Sequence, residues 1–216
     1  SRLMDLATPD DAYRNDSIRE TQRVIDITRA LRKYFPNARR PMIVANIGGF
    51  TMEEPLPADV IEGYYRRFAN SLDELDREGV EIIPQTMAPF PWHFGGQRYQ
   101  NIFVKIDEIV EWCSRLGLRM CFDVSHSQLT CNHLGYDFYD FAAKIAPFTG
   151  HLHLGDAKDL NGEGLQVGEG DIDFARLGGI LKAGCPGASF IPEIWQGHKN
   201  GGEGFWVALE RLEKTL

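Results

Sequence analysis

Short apolar runs alternate along this chain with longer stretches in which apolar residues recur every three or four positions. The long stretches predict helices over 60–75, 101–116, 136–146 and 204–216, and another opening at Asp173. A first helix starts at Thr8-Pro9-Asp10-Asp11 and carries Ile18, Val24, Ile25, Ile27, Leu31 and Phe35 down to Pro36. Between them, runs at 42–45, 80–84, 118–122, 151–154 and 189–192 are too short for helices, two of them following Gly79 and Gly117, and predict strands. Helices that separate five short apolar strands imply βα units around a parallel sheet.

Four of those runs end in polar residues. They are Ile82-Ile83-Pro84-Gln85, Met120-Cys121-Phe122-Asp123 with Val124-Ser125-His126 after it, His151-Leu152-His153-Leu154-Gly155-Asp156, and Phe190-Ile191-Pro192-Glu193. In a barrel of parallel strands the carboxyl ends carry the chemistry, and Asp, His and Glu delivered there would form an oxygen- and nitrogen-rich metal pocket. His151 is expected to point away from His153 and to have a structural role. Asp123 is also a natural N-cap for a following helix.

Composition narrows the field. With 216 residues, 43% hydrophobic and 25% charged, the chain can bury a core as one domain, 1–216, without disulfides. A net charge of −8 opposes a nucleic-acid backbone as main partner and leaves small molecules or proteins. No apolar stretch approaches the ~20 residues that span a bilayer. Cys113, Cys121, Cys131 and Cys185 form no CxxC pair, so buried reduced thiols and a cytoplasmic location are expected.

Five strands do not close an eight-stranded barrel. The expectation is an open sheet, or the carboxyl-terminal part of something longer, with the strand at 42–45 left as an uncovered edge through which the chain would associate.

Asp123-x-x-His126, then His151 through Lys158, then Gly168-Glu169-Gly170-Asp171-Ile172-Asp173, then Pro192-Glu193-Ile194, come in a particular order and spacing. That set resembles the xylose isomerase-like TIM barrel superfamily over nearly the whole chain, a group that includes sugar isomerases and epimerases and zinc-dependent apurinic-site endonucleases. The resemblance implies an α/β fold, a (β/α)8 TIM barrel that is incomplete here, the five βα units corresponding to strands four to eight.

It also implies one divalent metal ion (Zn, Mn or Mg) on Gln85, Asp123, His153 and Glu193, where the epimerases carry Glu, Asp, His and Glu. Gln85 is the departure, because a carboxamide can offer a metal its oxygen but cannot take up a proton at neutral pH. Glu193 is left as the catalytic carboxylate. Substrate contacts implied by the same resemblance are His126 and the basic Lys158. Trp92, His93 and Phe94 form either a surface loop or a lid over the carboxyl face, and Trp195 and His198 share that ambiguity.

The endonuclease pattern fits less well, with Asn46 in place of a His and Gly162-Glu163-Gly164 in place of an Asp-x-His. Two functions are therefore expected to compete. One is a metal-dependent sugar or sugar-phosphate isomerase or epimerase that works through an enediolate. The other is a non-catalytic barrel of the same descent that binds a sugar-like ligand or a partner protein.

Overall fold

The computed structural model describes residues 3–37, 40–93 and 96–215, the side chain of His93 excepted. Phe94 of the expected lid lies outside the described residues, as does the His93 side chain. The chain divides into two compact units, residues 1–85 with 90–102, and residues 86–89 with 103–216.

The first unit begins with a segment tied by the Leu6 amide to Ile47 O (2.9 Å). Helix α1 (Asp11–Leu31) follows, capped by Asp10. Its apolar residues split between two faces: Ile18 and Ile25 are buried with Ser17 and Thr21, whereas Val24, Ile27 and Leu31 are exposed. At 100° per residue the exposed group sits about a quarter-turn round from the buried one, so the expected stripe is buried along one flank only.

Strand β1 (Met42–Ala45), the short β2 (Phe50–Thr51), helix α2 (Ala58–Glu74) and strand β3 (Glu81–Pro84) come next. β1 and β3 pair in parallel, Met42 opposite Glu81 and Ala45 opposite Pro84. α2 buries Ile61, Tyr65, Phe68 and Leu72, the spacing of one helix face. The Pro- and aromatic-rich loop forms two small ribbons, β4 (Trp92–His93) with β5 (Gly96–Gln97), and β6 (Tyr99–Gln100) with β2. The third helix therefore starts later than 101, since the Asn101 side chain is committed to the loop, bonding the Leu56 amide and Gly49 O.

Asp5 is a buried carboxylate in this unit. Its Oδ1 accepts the amides of Ala7 (2.9 Å) and Gly49 (3.0 Å), and burial pushes its pKa from 3.8 to about 6 against those bonds. Gly48, at φ 96°, lets the backbone pass it, because a Cβ there would lie 2.1 Å from Asp5 Oδ1.

The second unit runs α3 (Ile106–Leu116), β7 (Met120–Asp123), α4 (Val124–Leu134), α5 (Phe138–Ile145), β8 (Thr149–Leu154), β9 (Asp156–Lys158), β10 (Gly162–Leu165), α6 (Phe174–Gly184), β11 (Ser189–Pro192) and α7 (Lys199–Thr215). β7, β8 and β11 form a parallel sheet with β8 central. Gly117 ends α3 in the left-handed conformation that suits glycine, and Asp137 and Asp173 cap α5 and α6. Phe122, Phe138 and Phe141 pack as one aromatic cluster, with Phe122 6.4 Å from each of the others between ring centroids.

Helix α4 is not among the sequence expectations; it turns straight out of β7, buried along its first eight residues. All four cysteines are buried and free. Among the described residues no helix is long and apolar enough to cross a membrane.

Candidate metal centre

Strand register builds the centre. Asp123 of β7 pairs with His153 of β8, which pairs with Ile191 of β11. Two residues beyond Ile191, on the same face, comes Glu193, whose amide donates to Leu154 O (3.0 Å). One donor atom from each of Asp123, His153 and Glu193 lies within 4.8 Å of the others.

At the centre of the group, His153 Nδ1 is 2.5 Å from Glu193 Oε2 and 3.6 Å from Asp123 Oδ2. Donors sharing one ion at ~2.0–2.2 Å would stand roughly 3–3.5 Å apart; the His153–Asp123 pair is near that spacing, the His153–Glu193 pair is a direct hydrogen bond, and two carboxylates with an imidazole are the donor types a divalent cation takes. Burial pulls the His153 ring down, but its bonds to Asp123, Cys121 and Glu193 carry its pKa up to about 12.

Asp123 is a hub. Its Oδ1 caps α4 by accepting the His126 amide (3.0 Å), while Oδ2 faces His126 Nδ1 at 3.1 Å. Capping and site-building are thus shared between the two oxygens of one carboxylate. Burial pushes the Asp123 carboxyl up, yet the two imidazoles and the helix amide outweigh it and hold it below its ordinary value.

His126 is buried, with Nδ1 also 3.0 Å from Thr86 O and Nε2 3.1 Å from Glu163 Oε1. Burial lowers its pKa, and Asp123 and Glu163 raise it to about 9. Five side chains thereby alternate in sign: Glu163, His126, Asp123, His153, Glu193. The three in the middle are almost closed off, and the carboxylates at the ends are 45% and 52% exposed.

The remaining expected residues are placed as follows. Gln85 belongs to the first unit, where its amide donates to Ala45 O (3.1 Å). Lys158 sits exposed at the end of β9, with no hydrogen bond or ion pair to the cluster among the described residues. Asp156 does not pair with it: the carboxylate is fully buried and accepts the amides of Ala157, Gly168, Gly170 and Ile172. Trp195 is 77% exposed just beyond Glu193, its amide bonded to Gly164 O (2.7 Å). His151 is not turned away from His153 as expected: two residues apart on β8 the two share a face, and His151 stacks edge-on to His153 while bonding Ser189 Oγ (2.7 Å).

Over residues 1–214 the chain matches the family of xylose isomerase-like TIM barrels. It belongs to that family. The barrel is similar in structure to a D-tagatose 3-epimerase-like protein, 18% identical with a TM-score of 0.66 over 99% of this chain and 76% of that one. An L-ribulose 3-epimerase is 16% identical, TM-score 0.70, over 98% and 72%. The 3-keto-D-glucoside 4-epimerase of E. coli is 16% identical, TM-score 0.65, over 99% and 76%. At such identities the likeness concerns the fold. None of the curated proteins matches the chain in sequence.

Glu163 is the member of this barrel's cluster that the strand-end pattern misses. It sits in β10, not after a parallel strand, and its partner lies 37 residues away. The visible signal was the Gly162-Glu163-Gly164 turn, whose glycines are forced: a Cβ on Gly162 would meet Lys158 O at 2.7 Å, and Gly164 has φ 63°.

Proposed function

We propose that this chain is a divalent-metal-dependent sugar isomerase or epimerase, with Asp123, His153 and Glu193 as the metal ligands. The observation that carries this reading is the convergence of those three donors from three adjacent parallel strand ends in matched register. The structurally similar epimerases support the same class of substrate, a small sugar with a carbonyl next to a hydroxyl-bearing carbon.

The bound ion would polarise that carbonyl and offset the charge of the enediolate. Glu193, half exposed, takes the proton from the adjacent carbon on its Oε. Asp123 holds His153 and His126 in fixed orientations, which lowers the reorganisation needed when the substrate arrives. Trp195 offers an exposed ring face beside Glu193 for the apolar side of a sugar.

One observation favours the second reading, a non-catalytic barrel that binds a sugar-like ligand: Gln85 stands where the resemblance calls for a carboxylate. Calorimetric titration with Mn2+ and proton-exchange assays on ketoses in D2O separate the two. The enzyme reading expects one Mn2+ per chain, its loss in His153→Ala, and deuterium uptake at the carbon beside the carbonyl. Absence of Mn2+ binding by the unaltered chain would overturn the metal centre; binding without exchange on any ketose would favour the second reading.

A further inference from the structure

Inverting a carbon centre through a planar enediolate requires a proton to leave one face and another to arrive on the opposite face. Two groups must serve, and Gln85 cannot be one of them. The alternating cluster ends in two half-exposed carboxylates, Glu193 at one end and Glu163 at the other, with every interior member buried. We infer, building on the epimerase reading above, that Glu163 is the second substrate-facing carboxylate and supplies the proton that Glu193 cannot.

The structure builds Glu163 into the site rather than leaving it on a free loop. Gly164 donates to Ser125 Oγ (2.8 Å) in the first turn of α4 and accepts the Trp195 amide, so the turn bearing Glu163 is laced to both limbs of the centre. Gly155 is the third lace point: a Cβ there would meet Glu193 O at 2.4 Å and Gly164 Cα at 3.4 Å. Both ring nitrogens of His126 face protein atoms, Thr86 O and Asp123 on one side and Glu163 on the other. A sugar hydroxyl reaching this limb therefore meets the Glu163 carboxylate before the imidazole.

The step balances. Glu193 takes the proton, the C–H electron pair becomes a carbon–carbon double bond, and the carbonyl oxygen takes the charge. Glu163, a carboxylate in its resting pair with His126, takes a proton from water as the enediolate forms and delivers it to the opposite face; the double-bond pair makes the new C–H bond and the carbonyl re-forms. The proton on Glu193 then returns to the hydroxide left by that water.

The test compares Glu163→Gln, Glu163→Asp and the unaltered chain with Mn2+ bound, following deuterium uptake and epimer formation together in D2O. Glu163→Gln is expected to keep Mn2+ affinity within about twofold and to keep exchange into the starting epimer, while epimer formation falls at least ~100-fold; Glu163→Asp restores part of it. Unchanged epimer formation in Glu163→Gln overturns the assignment alone. Equal loss of exchange, epimer formation and Mn2+ affinity makes Glu163 structural and also overturns it. If the unaltered chain neither exchanges nor epimerises any ketose, the epimerase reading falls and this inference falls with it.

Discussion

Asp156→Ala would remove the acceptor on which the segment after β9 is wound. The carboxylate takes four amides, Ala157 (2.8 Å) and Ile172 (3.1 Å) on Oδ1, Gly168 (3.0 Å) and Gly170 (2.9 Å) on Oδ2. Gly170 is glycine for the same reason, since a Cβ there would lie 2.4 Å from Asp156 Oδ1. The Gly168 and Gly170 bonds are only part-buried, and those amides can recover water, but the Ala157 and Ile172 amides cannot.

Each stranded buried donor costs about 1–3 kcal/mol, which places the loss at roughly 2–6 kcal/mol, and centrally at about 4. At a urea slope of about 2 kcal/mol/M the midpoint of the second unit would fall by about 2 M. Tryptophan fluorescence reads it, because Trp112, Trp195 and Trp206 all lie in that unit. Asp156→Asn keeps the oxygen that accepts both buried amides and loses only the part-buried pair, so it should lose clearly less than Asp156→Ala. A loss under ~1 kcal/mol in Asp156→Ala, or equal damage from both variants, would refute the reasoning.

Two further outcomes follow from packing and charge. The folded pKa of Asp5, about 6 against 3.8 unfolded, means the folded state binds the extra proton, so this group's contribution is greatest in acid and falls as pH rises through about 6. Asp5→Asn keeps the oxygen that accepts Ala7 and Gly49 and should gain up to ~3 kcal/mol on the unaltered chain between pH 4 and 7; a pH-independent difference in urea midpoint would contradict it. Gly155→Ala should cost about 1–3 kcal/mol and weaken Mn2+ binding by displacing the backbone of Glu193, and unchanged melting with full Mn2+ affinity would show that the close approach is absent.

The five parallel strands were legible because a short apolar run bounded by turn residues has few other readings, and the strand-end residues Asp123, His153 and Glu193 followed from them. What the pattern hides has physical reasons. Helix α4 buries Ser125, His126, Ser127, Gln128 and Thr130 with few apolar residues between them, so it shows no apolar stripe and spacing does not reveal it. The apolar residues of α1 span a buried flank and an adjacent exposed one, and spacing alone does not say where burial stops. Nothing in the sequence marks Asp156 as an acceptor of backbone amides, because three of its four partners lie 12 to 16 residues away. Glu163 is invisible for the related reason that its place depends on the register of the β9–β10 hairpin, where Gly162 faces Lys158 and Leu165 faces Asp156 with an irregularity between them.

The alternating cluster also explains why its members differ in what they can tolerate. Removing Asp123 would leave His126 and His153 buried with their common counter-charge gone, the costly case of a broken interior pair. Glu163 and Glu193 stand at the solvent-facing ends, where a lost charge is replaced by water and costs little stability. Stability therefore rests more on the three interior side chains than on the two outer ones, which carry the reactivity in the proposed function. A reaction that moves protons at the ends would not disturb the hub that holds them, so neutral substitutions at Glu163 and Glu193 are expected to alter turnover in a chain that still folds.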